Sequence, residues 1–168
     1  MIKGLGSFTG IRIGVATSKA FSDSLNIPSI GISSLEALAY NIKDDGIICS
    51  IIDAKNNNCY CALYKKEGKK YTELASPTAI PLDELINNLQ TYNSKITFVG
   101  DGVETFKDKI TTSFSNANFS ENNNIDSFNL GLAGISKYEK GENAELLPLY
   151  LRKPQAQRQL EEKLYKNN

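Results

Sequence analysis

The chain contains no histidine among its 168 residues. Because imidazole is the usual general base of Ser-His-Asp and Cys-His enzymes, both kinds of catalysis are excluded within this chain. The commonest ligand of catalytic zinc is missing as well. An enzyme built from these residues would depend on carboxylates, on lysine or on a group supplied by another molecule. The sequence therefore disfavours catalysis before any motif is considered.

Net charge and long apolar runs are also lacking. Lys plus Arg number 19 and Asp plus Glu number 19, so the chain has no overall field that would steer it onto nucleic acid. No stretch approaches the roughly 20 apolar residues that span a bilayer, and the first residues lack the apolar core of a signal peptide. We therefore expect a cytoplasmic protein without a membrane segment.

Cysteine is scarce, and its spacing does not match a disulfide framework. The chain has Cys49, Cys59 and Cys61. Two residues apart, Cys59 and Cys61 would share one face of a strand, where they are expected to be core residues.

Strand patterns alternate with helix patterns along the chain, which predicts an α/β architecture. Helices are predicted at residues 8–25, 33–41, 127–138 and 154–165. Two more are predicted, one that begins after Pro81 and one marked by Val103, Phe106 and Ile110. Strands are predicted at 29–32, 47–54, 59–65, 69–74 and 96–99, residues 116–126 form a surface loop, and 146–151 are extended. The sequence from Ser33 to Glu36 is a capping box that opens the second helix.

A glycine-rich turn, Gly-Leu-Gly-Ser-Phe-Thr-Gly, occupies residues 4–10. Such a turn before a helix N-terminus can hold phosphate, because backbone N–H groups and the helix dipole converge there. However, the Lys-Ser/Thr ending of a Walker loop is missing, and no dinucleotide-binding unit follows. The alternative is a tight turn whose glycines permit close packing.

The helix after this turn carries a stripe of small residues, Gly10, Gly14 and Thr17. Each glycine inside a helix costs about 1 kcal/mol relative to alanine, so two of them indicate a packing requirement. The stripe could pack against the chain's own sheet or against a helix of another chain. The residues alone leave both readings open.

Two acidic residues follow predicted strands. Asp53 ends one strand, and Gly100-Asp101-Gly102 ends another. Strand ends of open α/β sheets often carry metal or phosphate sites, but Asp also hydrogen-bonds the backbone of ordinary turns. The turn role is favoured for Asp101, and a paired-carboxylate site would require Asp53 to lie beside it.

The predicted C-terminal helix mixes both charges, which is typical of a solvated face, although contact with nucleic acid is an alternative. Its basic residues and those just before it are Arg152, Lys153, Arg158, Lys163 and Lys166, with Glu161 and Glu162 among them.

Residues 4–19 resemble the signature Gly-Pro-Gly-Ser-Phe-Thr-Gly-Leu-Arg-Ile-Gly of the TsaB family, also called YeaZ. The resemblance continues in order through residues 26–28, 33–38 and 52–54, Tyr60 to Tyr64, and residues 100–102 and 148–153. One glycine-rich turn would not be specific, but ordered matches along the whole chain are.

The resemblance implies an actin-like, ribonuclease-H-like ATPase fold in two lobes, with nucleotide binding largely degenerate. Such subunits are non-catalytic and carry no cofactor. They pair with TsaD, which transfers a threonylcarbamoyl group to a tRNA adenosine and holds the family's metal-binding histidines, and TsaE completes the complex. Contact with tRNA is then indirect.

The pairing implied by the resemblance uses the helix that follows Ser-Phe-Thr-Gly, and a second copy of the chain could use the same helix. The implied contact residues are Ser7, Phe8, Gly10, Ile11, Arg12, Gly14, Val15, Thr17 and Ser18. Nucleotide or turn positions are Asp53, Gly100, Asp101 and Gly102. Two alternatives stay open: a residual ATPase using Asp53 or Asp101 with magnesium, and a tRNA-binding module using the C-terminal basic helix.

The sequence departs from the family pattern at three places. Leu5 replaces the usual proline, and the run Lys-Asn-Asn-Asn-Cys at residues 55–59 replaces the usual Arg and Glu-Val. The strands that family members carry before the signature are missing, so we expect a truncated chain or a first lobe completed by another polypeptide. The predicted domains are a first-lobe remnant at 1–44, a complete second lobe at 45–145, and a C-terminal segment and helix at 146–168 that pack back on the first lobe.

Overall fold

The computed structural model describes residues 8–142 and 146–152, without the side chain of Phe8. The glycine-rich turn before Phe8 and the predicted helix at 154–165 lie outside the described residues. In the described part of the chain the helices are α1 Phe8–Leu25, α2 Ser34–Ala39, α3 Leu82–Leu89, α4 Gly102–Ser113 and α5 Ser127–Glu139. The strands are β1 Gly46–Asp53, β2 Asn58–Glu67, β3 Lys70–Pro81, β4 Ile96–Val99 and β5 Ala117–Phe119.

The five strands form one mixed sheet in the order β3-β2-β1-β4-β5. The short turns after β1 and β2 make β1, β2 and β3 antiparallel neighbours. Longer connections through α3 and α4 return the chain to the opposite edge, where β4 lies parallel to β1 and β5 parallel to β4. The carboxyl ends of β1 and β4 therefore lie side by side.

Both faces of the sheet are covered by helices. On one face Cys49, Ile51 and Phe98 pack against α3 and α4. On the other face Ile48 and Val99 pack against α2. All three cysteines are buried, as the sequence predicts for Cys59 and Cys61. A continuous apolar run in β1 follows from this arrangement, because neither face of the strand meets water.

The sequence predictions and the structure agree on most elements. α1 spans the predicted 8–25, and the Ser33 side chain accepts a hydrogen bond from the backbone N–H of Glu36, as expected of a capping box. The α/β architecture is confirmed by the mixed sheet. The lobe boundaries at residues 44 and 145 stay a prediction.

Three elements were predicted wrongly. β5 lies within the range predicted to be a loop, because a three-residue edge strand with one large apolar side chain has almost no periodicity. β3 runs on to Pro81, since an edge strand tolerates proline. In the predicted strand 29–32, only Ile32 forms a bridge.

Candidate partner surface and strand-end turn

Helix α1 has an inner and an outer face. Val15 is buried at 7% exposure, and Ile11, Gly14 and Ser18 are half-buried on the same side. The opposite side carries exposed apolar side chains, with Ile13 at 62% and Phe21 at 61%. An apolar stripe of this kind on a soluble helix is typical of a surface that another element covers.

The outer face combines those side chains with small residues. Helical spacing places Gly10, Ile13, Thr17 and Ala20 in one row, with Phe21 beside it, and all of these positions are exposed. Small residues in a row let a second helix approach closely. We refer to Gly10, Ile13, Thr17, Ala20 and Phe21 as the outer α1 face.

Arg12 is engaged within the chain. Its Nε donates a hydrogen bond to the Tyr150 hydroxyl at 2.8 Å, and its guanidinium lies 5.7 Å from the centre of the Tyr150 ring. This contact joins α1 to the segment 146–152, which is 138 residues further along the chain. Arg12 therefore has a structural role on α1 besides any role in binding.

The contact residues implied by the family resemblance do not all lie on one face of α1. Gly10, Arg12 and Thr17 are exposed, whereas Ile11, Gly14 and Ser18 are half-buried and Val15 is buried. Ser7 and the side chain of Phe8 lie outside the described residues. Sequence reasoning missed Ile13 as a surface residue, because apolar periodicity marks an apolar stripe without saying which side of the helix faces the rest of the chain.

The predicted strand-end residues do come together. The backbone N–H of Asp53 donates to the Asp101 carboxylate at 3.1 Å. The Asp53 carboxylate in turn accepts from the Lys55 backbone N–H and from the Lys55 ammonium, each at 2.7 Å. The bond from Lys55 is the main reason why the pKa of Asp53 lies below its ordinary value. The Asp53 carboxylate thus holds the backbone of its own turn, whereas the Asp101 carboxylate holds the end of β1, 48 residues away in the chain.

Gly100 sits where only glycine fits. Its φ is +120°, and a Cβ at this position would lie 2.2 Å from the carbonyl oxygen of Ile51. Its N–H donates to the Asn123 side chain at 3.0 Å, so the loop before α5 supports the turn. Gly102 also contacts β1, since an added Cβ would lie 3.0 Å from the Ile51 side chain. The glycines allow the turn after β4 to press against β1.

The run that departs from the family pattern forms the turn between β1 and β2. Lys55, Asn56 and Asn57 have φ values of 64°, 54° and 56°, in the left-handed region that asparagine tolerates better than most residues. Arg152 covers this turn, because its guanidinium donates to the Ala54 carbonyl at 2.7 Å and lies 5.5 Å from the centre of the Tyr60 ring. The C-terminal segment is thereby fixed to the strand end.

The strand-end turn brings together two carboxylates, from Asp53 and Asp101. Across residues 8–142 and 146–152, no group of three or more Cys, Asp or Glu side chains is arranged to hold a metal. In the same ranges, none of the helices combines the length and apolar character that crossing a bilayer requires.

Known proteins share both the sequence and the fold of this chain. Residues 3–159 match the family model described as TsaD, tRNA N6-adenosine threonylcarbamoyltransferase. The tRNA threonylcarbamoyladenosine biosynthesis protein TsaB of Bacillus subtilis is 31% identical over 159 residues, which is 92% of this chain and 69% of that protein. The chain belongs to the TsaB (YeaZ) family.

A second TsaB, from Buchnera aphidicola, is 31% identical over 110 residues, covering 62% of this chain and 52% of that protein. A crystal structure of a Pseudomonas aeruginosa protein similar to peptidase YeaZ superposes with a TM-score of 0.67 at 22% identity. It covers 89% of this chain and 71% of the crystallised one. The actin-like, ribonuclease-H-like fold that the TsaB resemblance implied is thereby confirmed.

Proposed function

We propose that this chain is a non-catalytic TsaB subunit that binds a TsaD-type threonylcarbamoyltransferase and supports synthesis of threonylcarbamoyladenosine in tRNA. The outer α1 face makes the contact. TsaE joins through the complex, tRNA contact is indirect, and the complex works in the cytoplasm. The observation that carries the proposal is the exposed apolar face of α1 on a chain whose relatives are biosynthesis proteins for this nucleoside.

The composition of the chain supports a non-catalytic role. With no histidine, it lacks the usual general base and the commonest ligand of a catalytic metal. The transfer reaction would then depend on side chains of the partner. This subunit would supply the surface that positions the partner.

The geometry of α1 supports a helix–helix contact. Gly10, Thr17 and Ala20 are small, so a facing helix can approach closely, while Ile13 within the row and Phe21 beside it supply apolar area. Burial of apolar surface contributes about 25 cal/mol per Å², so two large side chains at this exposure supply a substantial part of a specific contact. A second copy of this chain, which would bind through the same face, is the alternative partner.

The two alternatives from the sequence are weaker. A residual ATPase would use the Asp53 or Asp101 carboxylate on magnesium, but each carboxylate already accepts from a backbone N–H at or after the end of β1. A tRNA-binding module would use the C-terminal basic residues, and the Arg152 guanidinium is occupied by the Ala54 carbonyl. Within residues 8–142 and 146–152 neither alternative gains a supporting contact, and Lys153, Arg158, Lys163 and Lys166 lie outside those ranges.

A reconstituted modification assay tests the proposal. Purified TsaD-type enzyme from the same organism is incubated with tRNA and the threonylcarbamoyl donor, and the modified nucleoside is measured by mass spectrometry with and without this chain. We expect the chain to raise the rate and to form no product alone. Product formed by the chain alone, or an unchanged rate when it is added, would contradict the proposal.

A further inference from the structure

A cavity of about 240 Å³ lies between α2, the β2–β3 hairpin and the C-terminal end of α5. It shares no residue with the outer α1 face or with the strand-end turn. Titratable groups from four elements converge on it, as they do at ligand sites and in structural ion-pair networks.

The charges around this cavity favour a cation. Three carboxylates line it, from Glu36, Glu73 and Glu142, against two ammonium groups, from Lys137 and Lys140. The described lining residues therefore carry one net negative charge. The C-terminal end of α5, where Lys140 is the cap residue, adds the partial negative charge of its carbonyl groups.

Glu36 is the most buried of these carboxylates. It pairs with the Lys137 ammonium at 2.8 Å, and their side chains are 15% and 23% exposed. Burial nevertheless raises the pKa of Glu36, so the pairing does not fully offset the loss of water around the carboxylate. A cationic N–H donor near Glu36 would add a charge-assisted hydrogen bond to this poorly hydrated carboxylate.

Tyrosines form the rest of the wall. Tyr40 and Tyr71 stack with ring centres 3.9 Å apart. The Tyr64 hydroxyl is buried, and within the described residues no group lies in hydrogen-bonding geometry with it, although Ser33 is close enough to offset part of the rise in its pKa. Buried hydroxyls in folded proteins nearly always have a partner, which makes Tyr64 a position for a ligand N–H to bind.

We infer that this cavity binds a small organic cation through a guanidinium or primary ammonium group. The group is held by the carboxylate of Glu36, beside Lys137, and by that of the exposed Glu73, whose Oε1 also accepts from the Ser76 hydroxyl at 2.6 Å. Planar guanidinium matches carboxylates with two parallel hydrogen bonds, and the tyrosine rings contact the carbon atoms beside it. The volume suits such a group with a short carbon chain better than it suits a bare ion.

Titration with methylguanidine at constant ionic strength, followed by two-dimensional amide NMR, tests this site on the full chain. N-methylurea is the matched control, because it has nearly the same shape without the charge. We expect saturable shifts around Tyr40, Tyr71 and Lys137 with methylguanidine and none with N-methylurea. Equal shifts with both compounds, or shifts that do not saturate, would overturn the inference.

Two variants locate the binding. Glu73→Gln should weaken methylguanidine binding about tenfold, since one charge-assisted hydrogen bond is lost. Glu67→Gln removes the same charge on the same hairpin, where Glu67 pairs with Lys65 outside the cavity, and should change binding less than twofold. If the two variants weaken binding equally, only bulk charge matters and the cavity is not the site.

One further ligand distinguishes a free small cation from a basic side chain of a partner protein. Acetyl-Gly-Arg-Gly-amide presents the same guanidinium on a polypeptide. Tighter binding than methylguanidine, lost with Glu73→Gln, would identify a basic side chain of a partner protein as the occupant. Exclusion of the peptide while methylguanidine still binds would identify a free small cation.

Discussion

The backbone N–H of Asp53 donates a hydrogen bond to the carboxylate of Asp101, at 3.1 Å. This bond joins the end of β1 to the turn after β4, which are neighbours in the sheet and 48 residues apart in the chain. Acidic residues at the strand ends of open α/β sheets often belong to metal or phosphate sites, which suggests a catalytic role. In this chain the Asp101 carboxylate holds the end of β1, and the Asp53 carboxylate holds the turn that follows it.

Replacing Asp101 with alanine should lower stability modestly. Loss of one solvent-accessible hydrogen bond to the Asp53 backbone costs about 0.5–1.5 kcal/mol of the free energy of unfolding. Urea unfolding followed by circular dichroism measures this. Asp108→Ala, on the exposed side of α4, is the control and should stay within about 0.5 kcal/mol of the wild type. If Asp108→Ala lowers the free energy of unfolding as much as Asp101→Ala does, the hydrogen bond between Asp53 and Asp101 has no special role in stability.

Magnesium and ATP should not bind this chain with micromolar affinity, because the Asp53 carboxylate is occupied by Lys55 and the Asp101 carboxylate by the Asp53 N–H. Isothermal titration of the purified chain measures the affinity directly. Micromolar binding that disappears in Asp53→Asn would favour the residual-ATPase alternative instead.

Gly100→Ala should be among the most damaging small substitutions. The new methyl group would overlap the Ile51 carbonyl at 2.2 Å in a backbone conformation that alanine rarely adopts. The expected loss is about 3 kcal/mol or more of the free energy of unfolding. Gly68→Ala is the matched control, because Gly68 also has positive φ but has open space around it, and should cost about 1 kcal/mol. Similar losses for the two variants would show that backbone conformation alone is responsible.

Alkaline pH should destabilise the fold through Tyr71. Burial raises the pKa of Tyr71 to about 12, from an ordinary value near 10, and its hydroxyl donates to the Ile42 carbonyl at 2.8 Å. The neutral form is thus favoured in the folded chain, so its contribution is complete below pH 10 and is lost as the pH rises to about 12.

The melting temperature between pH 9 and 12 measures this effect. Tyr71→Phe should be less stable than the wild type by about 1 kcal/mol at neutral pH and should fall less steeply above pH 10. Tyr138→Phe, at an exposed position on α5, should follow the wild-type slope. Parallel slopes for the wild type and Tyr71→Phe would mean that another group causes the alkaline loss.

Much of the fold could be predicted from sequence because the strong signals are local. The 3.6-residue period of the apolar residues predicts α1, and the apolar run from Ile47 predicts β1, a strand that is covered on both faces. β5 could not be predicted in this way, because its three residues show no periodic pattern. The strand forms because it pairs with β4. The extension of β3 past Leu74 depends on the edge position, which tolerates Pro77.

The candidate site was only partly predictable for a similar reason. Sequence gives the type of residue at each strand end, but the contact between Asp53 and Asp101 exists only because β1 and β4 are parallel neighbours. On α1 the periodicity revealed an apolar helix without showing that Val15 faces inward and Ile13 outward. The cavity at Glu36 joins residues about 100 positions apart, which no local pattern can bring together.

The most direct test of the central claim is the affinity of this chain for a TsaD-type partner when the outer α1 face is altered. Thr17→Glu puts a charge in the middle of that face, and Thr111→Glu makes the same change on an exposed position of α4. By surface plasmon resonance, we predict a loss of at least about 100-fold for Thr17→Glu, because an unpaired charge would be buried in the interface, and less than about threefold for Thr111→Glu. Unchanged affinity in Thr17→Glu, with the fold intact by circular dichroism, would contradict the assignment of α1 as the contact.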